Sequence, residues 1–174
     1  LIDVQKDFID GVLPAANAHA ALDNINKLLS DESFDKIVAS VDNHMNEVKY
    51  ETSFECLSIP IHCNTYDGAE TCIDNTYFNS INAFFIKDSF CSQELTNYLA
   101  AICAEQFWHS EYIEITFVGL CTDICVIANA INARRTIRDS NVTIKIKANC
   151  CAGTTVENHE AALRVAKSCL IEVE

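Results

Sequence analysis

Short apolar runs alternate along the chain with longer amphipathic stretches. Strand-like runs stand at Leu1–Val4, Ile37–Val41, Ala83–Ile86, Ile113–Val118, Val142–Ile146 and Leu170–Val173. Most are rich in β-branched or aromatic residues, which suit a pleated, half-buried backbone. Between them, Ala18–Leu29 carries apolar residues at Ala18, Ala21, Leu22, Ile25, Leu28 and Leu29, the spacing of one helix face. Gln93–Phe107 repeats the pattern with Leu95, Leu99, Ile102 and Cys103, and Ile124–Ile137 and Glu157–Ala166 continue it. Strands that alternate with helices predict an α/β fold, a parallel sheet covered on both faces by right-handed crossovers. No internal repeat or linker interrupts the pattern, so residues 1–174 read as a single domain. The stretch Asp42–Thr76 is long for a connection, and such loops are often functional.

Composition narrows the class. The chain has 174 residues, 49% of them hydrophobic, enough for a substantial core. A net charge of -13 argues against nucleic-acid or anionic-membrane partners, which want clustered Lys and Arg. No apolar run approaches the roughly 18 residues of a membrane span, and no signal peptide is visible. Leu1-Ile2 reads as the end of a strand, so the natural chain is expected to begin a few residues upstream. Ten cysteines with four Gly and two Pro fit buried free thiols better than a loop-rich disulfide scaffold. A reducing, cytoplasmic location is the expectation.

Candidate chemistry gathers where apolar runs end, the strand ends at which ligands bind in open parallel sheets. Asp3 follows Leu1-Ile2, Lys87 follows Phe84-Phe-Ile86, and Cys125 lies just past the run ending at Val118. Gly119 breaks that run, and Thr122 or Asp123 can cap the helix that follows. A thiol near a helix N-terminus is expected to have a lowered pKa and to form thiolate, the nucleophile. A carboxylate can take the thiol proton, and a nearby ammonium stabilises both anions. Singly, such residues are more often a turn Asp, a solvated Lys and a core Cys; together at one sheet edge they are a considerably stronger signal.

A second cluster is Asp42-Asn-His44, followed by Glu51, Glu55 and His62-Cys63. Carboxylate and imidazole donors at this spacing suit zinc, iron or manganese. The bland alternative is an acidic loop with ordinary histidines.

Five blocks carry a resemblance: Asp3-Val-Gln-Lys-Asp-Phe8, Asp42-Asn-His44, His62-Cys63 with Gly68-Ala-Glu70, Lys87-Asp-Ser-Phe90 and Gly119-Leu-Cys-Thr-Asp-Ile-Cys125. In this order they are similar to the isochorismatase-like cysteine hydrolases, nearest the nicotinamidase/pyrazinamidase branch, over nearly the whole chain. The resemblance implies a three-layer sandwich with a six-stranded parallel sheet flanked by helices. It implies an Asp3–Lys87–Cys125 triad and an oxyanion hole from the backbone N–H groups of Cys121 and Cys125, often with a cis peptide before Cys121. It also implies a divalent metal, zinc first, on Asp42, His44 and His62. The family often adds a His that is missing between His44 and His62; Glu55 is the preferred substitute and Glu51 the alternative. Where the family often has a substrate-stacking aromatic residue, this chain has Ile59, leaving Phe8 as the candidate substrate-binding ring.

The implied activity is deamidation of nicotinamide, as in NAD salvage, through a thioester, with a small amide as partner and homo-oligomeric assembly expected. Another small amide or carbamoyl substrate is the near alternative. A vinyl-ether hydrolase of the same fold fits less well because those enzymes often lack the nucleophilic cysteine. From a different class, the chain could be a catalytically silent binding module.

Overall fold

The computed structural model describes residues 1–44, 51–64, 67–107 and 112–174. The elements follow in the order α1 (Ala18–Asp31), β1 (Val38–Asp42), α2 (Asn75–Phe78), β2 (Ala83–Lys87), α3 (Gln93–Phe107), β3 (Ile113–Leu120), α4 (Ile127–Thr136), β4 (Val142–Ala152), α5 (Val156–Ser168) and β5 (Glu172–Val173). Short 3₁₀ turns occupy Lys6–Phe8 and Glu55–Leu57, and a π-helical turn, Thr122–Val126, precedes α4. Thr155 caps α5 by accepting a hydrogen bond from the Asn158 N–H at 3.1 Å, as the preference for hydroxyls at N-caps predicts.

All strand pairs are parallel, but they differ from the single six-stranded sheet expected. Among the described residues, five strands form two sheets, β1–β2 and β3–β4–β5. Leu1–Val4 is not a strand. Ile2 makes isolated parallel bridges to Ser40 of β1 and Gly119 of β3, and Asp3 then leaves the extended region at φ 46°. The Ile2 N–H donates to the Val118 carbonyl at 2.8 Å, and the Ile2 carbonyl accepts from the Leu120 N–H at 2.9 Å. One residue therefore stands where a strand was expected, joining the two sheets. The last strand is also shorter than predicted, because Leu170 adopts φ 62° and extended pairing begins at Glu172.

The helices follow the apolar periodicity closely. Ala18, Ala21, Ile25 and Leu28 are the buried face of α1, while Leu95, Leu99 and Cys103 are buried on α3. They belong to one apolar core with Ile2, Leu120, Val126, Ile144 and Ile146, each large aliphatic side chain contributing about 1.5–3 kcal/mol when fully buried. Among the described residues, no helix is long and apolar enough to cross a membrane.

Gly119 marks a close approach between β3 and the Ile2 backbone. It has φ 134°, and a Cβ there would overlap the Ile2 carbonyl oxygen. Gly119→Ala should therefore cost at least the ~1–3 kcal/mol of a strained backbone residue, with the overlap added. A urea midpoint equal to that of the parent protein would contradict this reading of the junction.

Candidate active site

The Ile2 junction gathers three strand ends. Asp42 closes β1 and Lys87 closes β2, and the two are paired in register. Asp3 follows Ile2 directly, and Cys125 lies in the turn after β3. The fold thereby brings together Asp3, Lys87 and Cys125, from three distant parts of the sequence. The Lys87 Nζ is 2.7 Å from Asp3 Oδ2 and 3.3 Å from Asp42 Oδ1, and it donates to Cys125 Sγ at 3.7 Å. Ser40 Oγ donates to Asp3 Oδ1 at 2.6 Å. All five side chains are buried, so their interactions are weakly screened. The Leu120–Cys121 peptide is cis, and Cys121 immediately precedes the turn that carries the Cys125 thiol.

The electrostatics overturn one expectation. Cys125 stands at the start of the segment leading into α4, but its thiol pKa lies well above the ordinary 9.0 rather than below it. Burial is the largest cause, and the Asp3 charge adds to it, while the Lys87 ammonium opposes both. A helix terminus worth a fraction of a charge does not offset removal of a thiolate from water. Cys125 therefore rests as a thiol and needs a base. Burial also raises the Asp3 pKa, against the pull of Lys87. Burial disfavours the Lys87 ammonium, but the Asp3 and Asp42 carboxylates hold its pKa above the usual lysine value. Cys121 is pushed up to about 12 by burial and by the Asp123 and Asp3 charges.

Next to this set lies a group of metal-type donors. Asp42, His44 and His62 are all buried, with donor atoms within 4.8 Å of one another. Asp42 Oδ2 is 3.2 Å from His44 Nε2 and 3.1 Å from His62 Nε2. Ligands about a tetrahedral zinc at roughly 2.0–2.1 Å stand about 3.4 Å apart, so these spacings suit a shared cation. His62 adds a chemical reason. Its Nδ1 lies 2.9 Å from the Pro60 carbonyl, which can only accept, so Nδ1 carries the hydrogen. In the neutral ring, the Nε2 lone pair then faces a carboxylate oxygen, which is tolerable with a cation or second proton between them. Burial lowers the His62 pKa, but the hydrogen bonds to Asp42 and Pro60 outweigh it and raise the pKa. Burial pushes the Asp42 carboxyl up, yet His44, His62 and Lys87 overcome it and hold it well below the carboxylate range.

Glu55 Oε2 is buried without a hydrogen-bond partner and sits 3.4 Å from His44 Nε2, aimed at the same donors. Burial raises its pKa, against the pull of His44. Glu51 is exposed and stands outside the three-residue cluster. The Phe8 ring is buried and meets the His62 imidazole edge-on, 5.6 Å between centroids. The residues present thus fit a small divalent cation.

Several supporting side chains were not singled out from sequence. Besides Ser40, Gln5 bonds the Asp42 backbone, and Asp7 accepts from the Cys63 N–H at 2.7 Å beside His62. Asn129 Nδ2 donates to the Cys125 carbonyl at 2.8 Å, and its Oδ1 accepts from the Ser92 N–H at 3.0 Å. The sequence signal for Gln5 and Asp7 is their placement: polar residues at every second position after Asp3, at the edge of an apolar run. Asn129 has none, because its partners lie on other elements.

Fold and site together define an α/β protein with a thiol, an ammonium and a carboxylate gathered beside a candidate metal centre. It belongs to the isochorismatase family, the Isochorismatase domain matching residues 1–174. No curated protein sequence matches the chain. Its fold is similar to that of PnC1 from L. infantum in complex with nicotinate, at 22% identity and TM-score 0.77, covering 100% of this chain and 89% of that one. It is also similar to the nicotinamidase/pyrazinamidase PncA from Bacillus subtilis, at 25% identity and TM-score 0.77, covering 99% and 95%. A third similar structure is the pyrazinamidase of Pyrococcus horikoshii in complex with zinc, at 23% identity and TM-score 0.74, covering 100% and 96%.

Proposed function

We propose that this chain is a metal-assisted cysteine amidohydrolase that converts nicotinamide and water to nicotinate and ammonia. The observation that carries the reading is the Lys87 ammonium, 2.7 Å from Asp3 and 3.7 Å from the Cys125 thiol. Because the thiol rests protonated, Asp3 takes its proton as Sγ attacks the amide carbon. Lys87 holds its positive charge against the thiolate forming there. The substrate oxygen becomes an oxyanion stabilised by the backbone N–H groups of Cys121 and Cys125. Asp3 passes the proton to the leaving nitrogen, the C–N bond breaks, and ammonia departs from a thioester. Asp3 then deprotonates a water, whose oxygen attacks the thioester carbon. The C–S bond breaks, the proton returns to Cys125, and the acid is released.

Asp42, His44 and His62, with Glu55 or water, would hold the metal, zinc first among zinc, iron and manganese. When bound, it would supply a Lewis acid and a fixed point for the substrate's ring nitrogen or carbonyl. Phe8, packed edge-on against His62, would offer the ring a flat neighbour.

Ammonia release across a panel of small amides tests the reading. Release from nicotinamide is the expected result. The aliphatic Ile59, where the family often has an aromatic ring, favours a second reading with a different small amide or carbamoyl substrate. Release confined to such compounds would select it, and silence across the panel would favour a binding module. Cys121→Ala should keep activity within a few-fold of the parent, because the proposed role of Cys121 lies in its backbone N–H. A loss approaching that of Cys125→Ala would show that the Cys121 side chain takes part.

A further inference from the structure

The chain at Asp3 turns away from β1 just where another backbone rung is due. Ser40 of β1 exchanges both backbone bonds with the N-terminal segment: its N–H donates to the Leu1 carbonyl at 2.9 Å, and its carbonyl accepts from the Asp3 N–H at 3.2 Å. In a parallel ladder the next rung falls two residues on, at Asp42. There the backbone has already left, since Asp3 takes φ 46°, and a side chain replaces it. The Asp42 N–H donates to Gln5 Oε1 at 2.7 Å, and Gln5 Nε2 donates to the Asp42 carbonyl at 2.9 Å. The same Nε2 donates to the Ala69 carbonyl at 2.9 Å. Gln5 is completely buried, so both ends of its amide are committed in a dry site, where lost bonds are costly.

We infer that Gln5 is a positioning residue for the metal centre: its carboxamide completes the β1 ladder at Asp42. It thereby fixes the direction in which the Asp42 carboxylate meets the cation held with His44 and His62. Asp42 is the residue on which the site turns, with Oδ2 facing both imidazoles and Oδ1 3.3 Å from the Lys87 ammonium. A small rotation of its backbone would swing the carboxylate out of both contacts. Three alternate side chains of the N-terminal segment thus divide the site: Asp3 meets Lys87, Gln5 sets Asp42, and Asp7 holds Cys63 beside His62. This inference rests on the metal reading of the site.

The test is zinc affinity of the purified full chain, read by competition with a chromophoric chelator. Gln5→Met keeps the length and volume but removes both hydrogen-bonding ends. Gln5→Glu keeps an acceptor for the Asp42 N–H and sets an oxygen against the Asp42 and Ala69 carbonyls. Each should weaken zinc binding by about 10–100-fold, the range for residues that orient a metal ligand. Ile144→Val, which trims the core away from the site, controls for lost stability and should bind zinc as the parent does. Parent-like zinc affinity in either folded Gln5 variant, alongside loss in His44→Ala, would overturn the role of Gln5 while sparing the metal reading. A parent protein without zinc affinity, or His44→Ala binding as the parent does, would overturn the metal reading and the inference with it.

Discussion

Cys125→Ala should lower amide turnover by about 10⁴-fold or more, the scale on which removing a covalent nucleophile is felt. The fold should survive, because the substitution removes one buried sulfur and leaves the turn backbone in place. The same thiol gives a second readout that needs no substrate. Its pKa lies well above 9.0, so the neutral thiol prevails at lower pH and the reactive anion appears as pH rises. Alkylation of Cys125 by iodoacetamide, followed by peptide mass spectrometry, should therefore keep accelerating through pH 9. A thiol activated by a helix dipole would instead level off near neutrality. Lys87 opposes the upward shift, so Lys87→Met should move the profile to still higher pH. A profile that stays in place in Lys87→Met would break the link between the ammonium and the thiol. Near-normal turnover in Cys125→Ala would end the covalent mechanism.

Loss of the metal centre is the other large effect. Protein purified without chelator should carry about one divalent metal per chain, the stoichiometry of a single site. His44→Ala should lose it and lose turnover by orders of magnitude, since correct placement of a substrate can carry that much of the rate. His44 is the informative substitution. Asp42 also faces Lys87 at 3.3 Å, so removing its carboxylate would disturb both halves of the site at once. Glu55→Gln should weaken binding less than His44→Ala, because Glu55 approaches His44 and lies outside the three-residue cluster. A metal-free preparation with full activity would leave these residues as a buried acidic and imidazole network.

The two halves of the site differ in how far sequence disclosed them. Asp42-Asn-His44 is local: two donors two residues apart at a strand end already project to one side. Asp3, Lys87 and Cys125 are each an ordinary residue after an apolar run, and their order among five blocks carried the reading. The sequence pointed the wrong way on the ionisation of Cys125. Helix position is visible in a sequence, but the burial that dominates the thiol pKa arises from packing against residues far along the chain.

The amino-acid sequence by itself determined the α/β class and the helix faces of α1 and α3. It also named the acidic, imidazole and thiol residues from which the site is built. Periodicity is a local property, so apolar spacing settles which segments become helices and which extend. Tertiary structure alone decided that Ile2 would join two sheets as a single residue, since φ 46° at Asp3 answers to the elements around it. It decided that Ser40, Gln5 and Asn129 would hold the site. Their hydrogen-bond partners lie up to 64 residues away, and a buried polar side chain acquires a role from whichever distant backbone group it must satisfy.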